Sequence, residues 1–251
     1  MATPAPAGGG GSPVTFPDDY PNSVKHFLLM GSVGFGLGAG IFLYLALSRA
    51  KPSVTHALTF LYCAVGAMAY YAMWTGLGVA YKTGDKTPRV IFWGRYLEQI
   101  LTQPLLLVNV CYIAKLETAS MVSLVGQDVL LILAAGIGSS TVSPMKYMWW
   151  FTSVIFTILI AVQLVPTTTD AHQIYKILAY GLIACFGLFN VLWLTGSEGS
   201  ASLGLSQEVG IYTVVDLVCK VGFGLYFILN FDAVMDEDGE DSERLNSQQY
   251  V

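Results

Sequence analysis

Five ionisable side chains sit inside stretches that are otherwise apolar: Arg95, Glu98, Asp128, Asp216 and Lys220. Arg95, Glu98 and Thr102 follow one another at offsets of three and four, which places them on one helix face, and Asn109 continues that face two turns on. Asp216 and Lys220 are also four apart and face together. A lysine amine in a dry pocket is the side chain that condenses with an aldehyde to form an imine. A protonated imine held there requires a carboxylate partner, and Glu98 and Asp216 are the candidates. Ion pairs serving merely to join two helices are the alternative, but isolated buried pairs stabilise poorly because desolvation offsets the Coulomb gain.

The elements that position these groups are membrane helices. The 251-residue chain is 54% hydrophobic and only 12% charged, about half the charge of an ordinary soluble domain, and its mean hydropathy is +0.59. Four stretches (28–48, 57–81, 147–169 and 177–197) contain no charged residue or histidine, and each reaches the roughly 20 residues a spanning helix needs. Three more (90–114, 119–141 and 209–231) are apolar with embedded charge. The expected fold is therefore an all-α integral membrane protein, a bundle of seven transmembrane helices over 25–231. It is flanked by a flexible Pro/Gly/Ala-rich segment, 1–24, and an acidic tail, 232–251.

The formal charge of −5 excludes a nucleic-acid binder, which needs a basic face. Cys63, Cys111, Cys185 and Cys219 lack paired spacing and read as packing residues rather than bridges or zinc ligands. His26, His56 and His172 are scattered near helix ends and read as solvated or interfacial, so no metal site is expected. Phosphate loops and nucleophile–base motifs are absent, which argues against an enzyme. Loop cations divide evenly between the two sides of the membrane: Arg49, Lys51, Lys115, Lys176 and Arg244 against Lys25, Lys82, Lys86, Arg89 and Lys146. The positive-inside rule thus sets no orientation.

The segment Asp216-Leu217-Val218-Cys219-Lys220-Val221-Gly222-Phe223-Gly224 resembles the seventh-helix signature of microbial (type 1) rhodopsins. Arg95-Tyr96-Leu97-Glu98, with Thr102 and Pro104-Leu105-Leu106-Leu107, resembles their third helix. Trp193-Leu194-Thr195-Gly196-Ser197-Glu198-Gly199 resembles the end of their sixth. The resemblance implies all-trans retinal bound to Lys220 as a protonated Schiff base. It implies Glu98 as primary counterion and proton acceptor, Asp216 as second counterion and Arg95 as the cation beside them. Glu198 and Glu208 match a proton-releasing pair, with two solvated helix-end glutamates as the alternative. Trp150, Ser153, Trp193, Phe186, Phe189, Gln99, Thr102 and Tyr71 (or Tyr70) match positions around the chromophore. Gln103 and Asp128 match a latch between helices three and four that controls photocycle lifetime, with a satisfied buried polar pair as the alternative. The resemblance further implies an extracellular N-terminus, a cytoplasmic C-terminus, and the lipid bilayer and protons as partners. Family members often form trimers or pentamers.

Several positions depart from the family pattern. Gln99 stands where a tryptophan usually sandwiches the polyene, Phe186 and Phe189 stand for a Trp and a Tyr, and Asn190 replaces a proline. Asn109 occupies the place where efficient outward pumps carry a proton-donating acid, and asparagine cannot donate at neutral pH. The expectation is weak or slow outward proton transport. The alternative is a sensory photoreceptor signalling to a partner. A light-gated channel fits less well, because 57–81 carries no carboxylate.

Overall fold

The computed structural model describes residues 21–48, 53–79, 90–169 and 173–230. The segment 1–20, the acidic tail, His172, and loop cations 49, 51, 82, 86 and 89 fall outside the described residues. Seven long helices run through them: α1 Asn22–Leu47, α2 Val54–Thr75, α3 Trp93–Ile113, α4 Thr118–Ser140, α5 Lys146–Leu164, α6 Gln173–Thr195 and α7 Leu205–Leu229. Each packs against its sequence neighbour, and α7 returns to α1, closing the bundle. α1 begins at Asn22, inside the segment expected to be flexible.

Six helices are long and apolar enough to cross a membrane. The remaining one, α3, is less apolar because its inward face buries Arg95, Glu98, Gln99, Thr102, Gln103 and Asn109. Its outward face carries exposed Trp93, Leu97, Leu101 and Tyr112. Elsewhere Leu37, Tyr44, Met68, Phe151, Ile158, Val162 and Val191 also point outward. Polar groups inside and apolar side chains outside suit a bundle solvated by lipid, where the helix satisfies its own backbone hydrogen bonds. The chain is an integral membrane protein.

α2 stops at Thr75 rather than continuing to 81, because Gly76 adopts a left-handed conformation (φ 89°). Leu77 N–H then donates to Ala72 O (2.9 Å), a glycine C-cap. α7 contains a π-helical turn, Val218–Gly222, that carries Lys220. Such turns concentrate at functional sites, since an extra residue re-aims the side chains around it.

The structure corrects two expectations that bear on packing. Cys185 and Cys219 form a disulfide joining α6 to α7, whereas Cys63 and Cys111 are free and buried. The bridged residues lie 34 positions apart but face each other across the helix pair, with Cα atoms 6.5 Å apart. His56 is fully buried and pairs with Ser53 through Nδ1 (2.9 Å), whereas His26 is exposed as expected.

Gly31 allows α2 to approach α1. A Cβ at this position would lie 2.3 Å from Tyr70 Cδ1, within the ring of a buried side chain. Gly31→Leu should therefore overpack the α1–α2 contact and destabilise the bundle by about 1–3 kcal/mol. The check is the thermal midpoint of helical circular dichroism in detergent, where an unchanged midpoint would contradict this packing.

Candidate functional site

The α3 and α7 faces meet at Lys220. Its Nζ, buried to 1% exposure, donates to Glu98 Oε1 at 2.6 Å and to Asp216 Oδ1 at 2.9 Å. The i,i+4 spacing on α7 and the matching face of α3 therefore do bring the three groups together. Thr102 donates to Glu98 Oε1 (3.0 Å), and Tyr70 donates to Asp216 Oδ2 (2.7 Å). Glu98 Oε2 is buried without a hydrogen-bond partner. One ammonium thus faces two carboxylates in a dry environment, where charges must be paired to persist.

Tyr70, not Tyr71, belongs to this site. The neighbouring tyrosines point in different directions on α2, and Tyr71 is 54% exposed and packs beside Trp74. Adjacent helical positions differ by about 100°, enough to take a side chain from the bundle interior to its surface.

A second charged group lies toward the start of α3. Arg95 Nη1 pairs with Glu208 Oε1 at 3.2 Å rather than with Glu98 or Asp216. Glu208 Oε2 accepts from the backbone N–H of Ser197 (2.7 Å), and Glu198 Oε2 accepts from Tyr96 OH (2.5 Å). Both glutamates are 1% exposed, so neither is a solvated helix-end residue. Lys146, assigned to the surface by its loop position, is buried, and its Nζ donates to the carbonyls of Glu198 (2.9 Å) and Gly199 (2.6 Å). Few ammonium groups are fully buried without such partners.

A small cavity of about 20 Å³ lies inside the bundle, lined by Gln99, Gln103, Ser153, Phe186, Phe189, Asn190 and Trp193, with Leu131 and Ala135 of α4. Arg95, Tyr96 and Tyr212 complete its wall. Five of the anticipated chromophore contacts are therefore part of this wall. Thr102 acts instead through Glu98, and Trp150 donates its indole N–H to Asn190 O (3.0 Å). Asn190 binds α5 from the other side, donating to Thr157 Oγ1 (2.8 Å) and accepting from Ser153. Where a proline was expected, α6 thus carries a cross-link to α5.

The latch between Gln103 and Asp128 is not formed. Gln103 Oε1 and both carboxylate oxygens of Asp128 are buried without hydrogen-bond partners. Gln103 lines the cavity, and Asp128 is not among the residues of its wall. Asn109 is buried beside α2 and donates to Thr59 Oγ1 (3.2 Å).

Residues 22–233 match the family described as bacteriorhodopsin-like protein. The chain belongs to the bacteriorhodopsin-like family. Members of this family of microbial rhodopsins bind retinal covalently through a lysine. This rhodopsin is 29% identical to archaerhodopsin-2 of Halobacterium sp. over 192 residues, covering 72% of the chain and 74% of the relative. It is 28% identical to bacteriorhodopsin of Halobacterium salinarum over 215 residues, covering 80% and 81% respectively. Its fold matches the crystal structure of thermophilic rhodopsin from Rubrobacter xylanophilus with a TM-score of 0.79 at 28% identity, covering 85% of this chain and 98% of that one.

The residues present fit a covalently held polyene. A buried amine has carboxylates on one side, and the wall of the nearby cavity includes the aromatic side chains of Phe186, Phe189 and Trp193. Tyr96 and Tyr212 escaped the sequence reading. The signal for Tyr212 was its place in the four-residue series Glu208, Tyr212, Asp216, Lys220 along one face of α7.

Tyr70→Phe removes the phenol donor to a buried carboxylate and should cost this rhodopsin about 1.5–3 kcal/mol of stability. Tyr71→Phe, at an exposed position, should leave the thermal midpoint within experimental error. Equal midpoints for the two variants would overturn the assignment of Tyr70 to the site.

Proposed function

We propose that this rhodopsin is a light-driven outward proton transporter with a slow cycle, carrying all-trans retinal on Lys220. The observation that carries this reading is the buried Lys220 Nζ between Glu98 and Asp216, with a second acidic pair, Glu198 and Glu208, further along the bundle. When bound, retinal supplies visible absorption and a light-triggered change in the direction and acidity of the nitrogen that joins it to the protein.

The rest is the work of the chain's own residues. Glu98 Oε1 is the carboxylate oxygen nearest Nζ, and the partnerless Oε2 of the same group leaves a lone pair open to a proton. Glu98 is therefore the acceptor. Asp216 is held in place by Tyr70, which donates to its second oxygen. Arg95 stands between this pair and the far acids and is bound to Glu208. Glu198 and Glu208 hold the proton that leaves, on the side taken as extracellular by family resemblance. Phe186, Phe189, Trp193 and Leu131 exclude water from the cavity, which strengthens each of these electrostatic contacts.

Asn109 favours the second reading, a sensory photoreceptor. Its amide is committed to Thr59, and no acid stands at this position to resupply Nζ. Resupply from solvent gives a long-lived state, which suits signalling. A channel has less support, since α2 carries no carboxylate.

Illumination of cells supplied with retinal, with external pH recorded, separates these readings. Sustained acidification abolished by a protonophore is the expected result. Slow visible recovery without net pH change would overturn transport in favour of sensing. Lys220→Ala should be colourless after reconstitution. Asn109→Asp should shorten recovery of the dark state by restoring an internal donor, and an unchanged decay would show that resupply does not limit the cycle.

A further inference from the structure

Besides its ion pair with Glu208, the Arg95 guanidinium packs on an aromatic face. Arg95 Cζ lies 3.7 Å from the centroid of the Tyr212 ring, and Phe92 is more distant at 5.4 Å. Tyr212 is 4% exposed and is backed by Phe189, whose ring is nearly parallel to it (15°) with centroids 6.0 Å apart. Along α7, Tyr212 is four residues after Glu208 and four before Asp216, so the ring lies between the two carboxylates. A guanidinium stacked on a ring in a desolvated site is held more strongly than one at an exposed site.

We propose that Tyr212 is a positioning residue whose ring holds Arg95 on the Glu208 side, away from the Lys220–Glu98–Asp216 cluster. This rests on the transport reading only for its effect on proton release. The charged and titratable groups around Arg95 are Glu98 and Tyr96 on α3, Glu198 after α6, and Glu208, Asp216 and Lys220 on α7, with Lys146 of α5 behind Glu198. With Arg95 on the ring, its cation stays beside the acids from which the proton departs. Without the ring, the cation is free to move toward Glu98 and Asp216, and proton release is delayed.

The test uses the full chain reconstituted with retinal, as wild type, Tyr212→Phe and Tyr212→Leu. Nuclear magnetic resonance of the Arg95 side chain should show ring-current upfield shifts in wild type and Tyr212→Phe that vanish in Tyr212→Leu. This readout needs no light. After a flash, a pH dye should register proton release about tenfold later in Tyr212→Leu and at the wild-type time in Tyr212→Phe. An unshifted Arg95 signal in the wild type overturns the proposal even if the leucine variant does not fold. So does a phenylalanine variant that behaves like the leucine one, or release in Tyr212→Leu at the wild-type time. If the Arg95 shifts behave as stated while the wild type releases no proton, the transport reading fails and the positioning role stands.

Discussion

A buried ammonium governs this molecule. Lys220 sits in a helix bundle surrounded by lipid, where an unbalanced charge would cost several kcal/mol. Two carboxylates within 2.9 Å of Nζ provide the balance, and each needs its own support. Thr102 supports Glu98 and Tyr70 supports Asp216, so four helical residues and one lysine form a single electrostatic unit. The close approach of α1 to α2 at Gly31 and the polar inner face of α3 follow from the need to bring that unit together.

One cation facing two anions leaves a surplus of negative charge, and Arg95 does not correct it. Its ion pair is with Glu208, so the interior divides into two charge groups stacked along the bundle, with Arg95 and Tyr212 between them. On the transport reading proposed above, a proton leaving the first group would encounter acids already organised in the second. The opposite end of the bundle is built differently. There Asn109 and Thr59 join α3 to α2 through neutral groups.

Much of this was legible from residue spacing. Offsets of three and four identified the faces of α3 and α7, because helical periodicity converts sequence distance directly into direction. Seven apolar stretches marked the spans. What escaped depended on contacts between helices. Tyr70 and Tyr71 are both aromatic neighbours in an apolar run, and only packing against α1 and α7 distinguishes them. Cys185 and Cys219 are too distant in sequence for any spacing rule to pair them. Lys146 reads as a loop cation but folds inward because the turn after α6 presents carbonyl oxygens to it. Gln103 and Asp128 lie on neighbouring helices yet do not bond, a matter of how α3 and α4 pack that residue spacing does not encode.

The disulfide between α6 and α7 ends on Cys219, the residue immediately before Lys220 and inside the same π-helical turn. Packed helices ordinarily slide past one another by small adjustments of side chains. Here the backbone that carries the reactive amine is bolted to its neighbour. Any rotation of that turn must pull on the middle of α6, which Asn190 in turn fastens to α5. Mechanical strain arising at a single nitrogen therefore has a covalent route into α6 and a hydrogen-bonded one onward into α5.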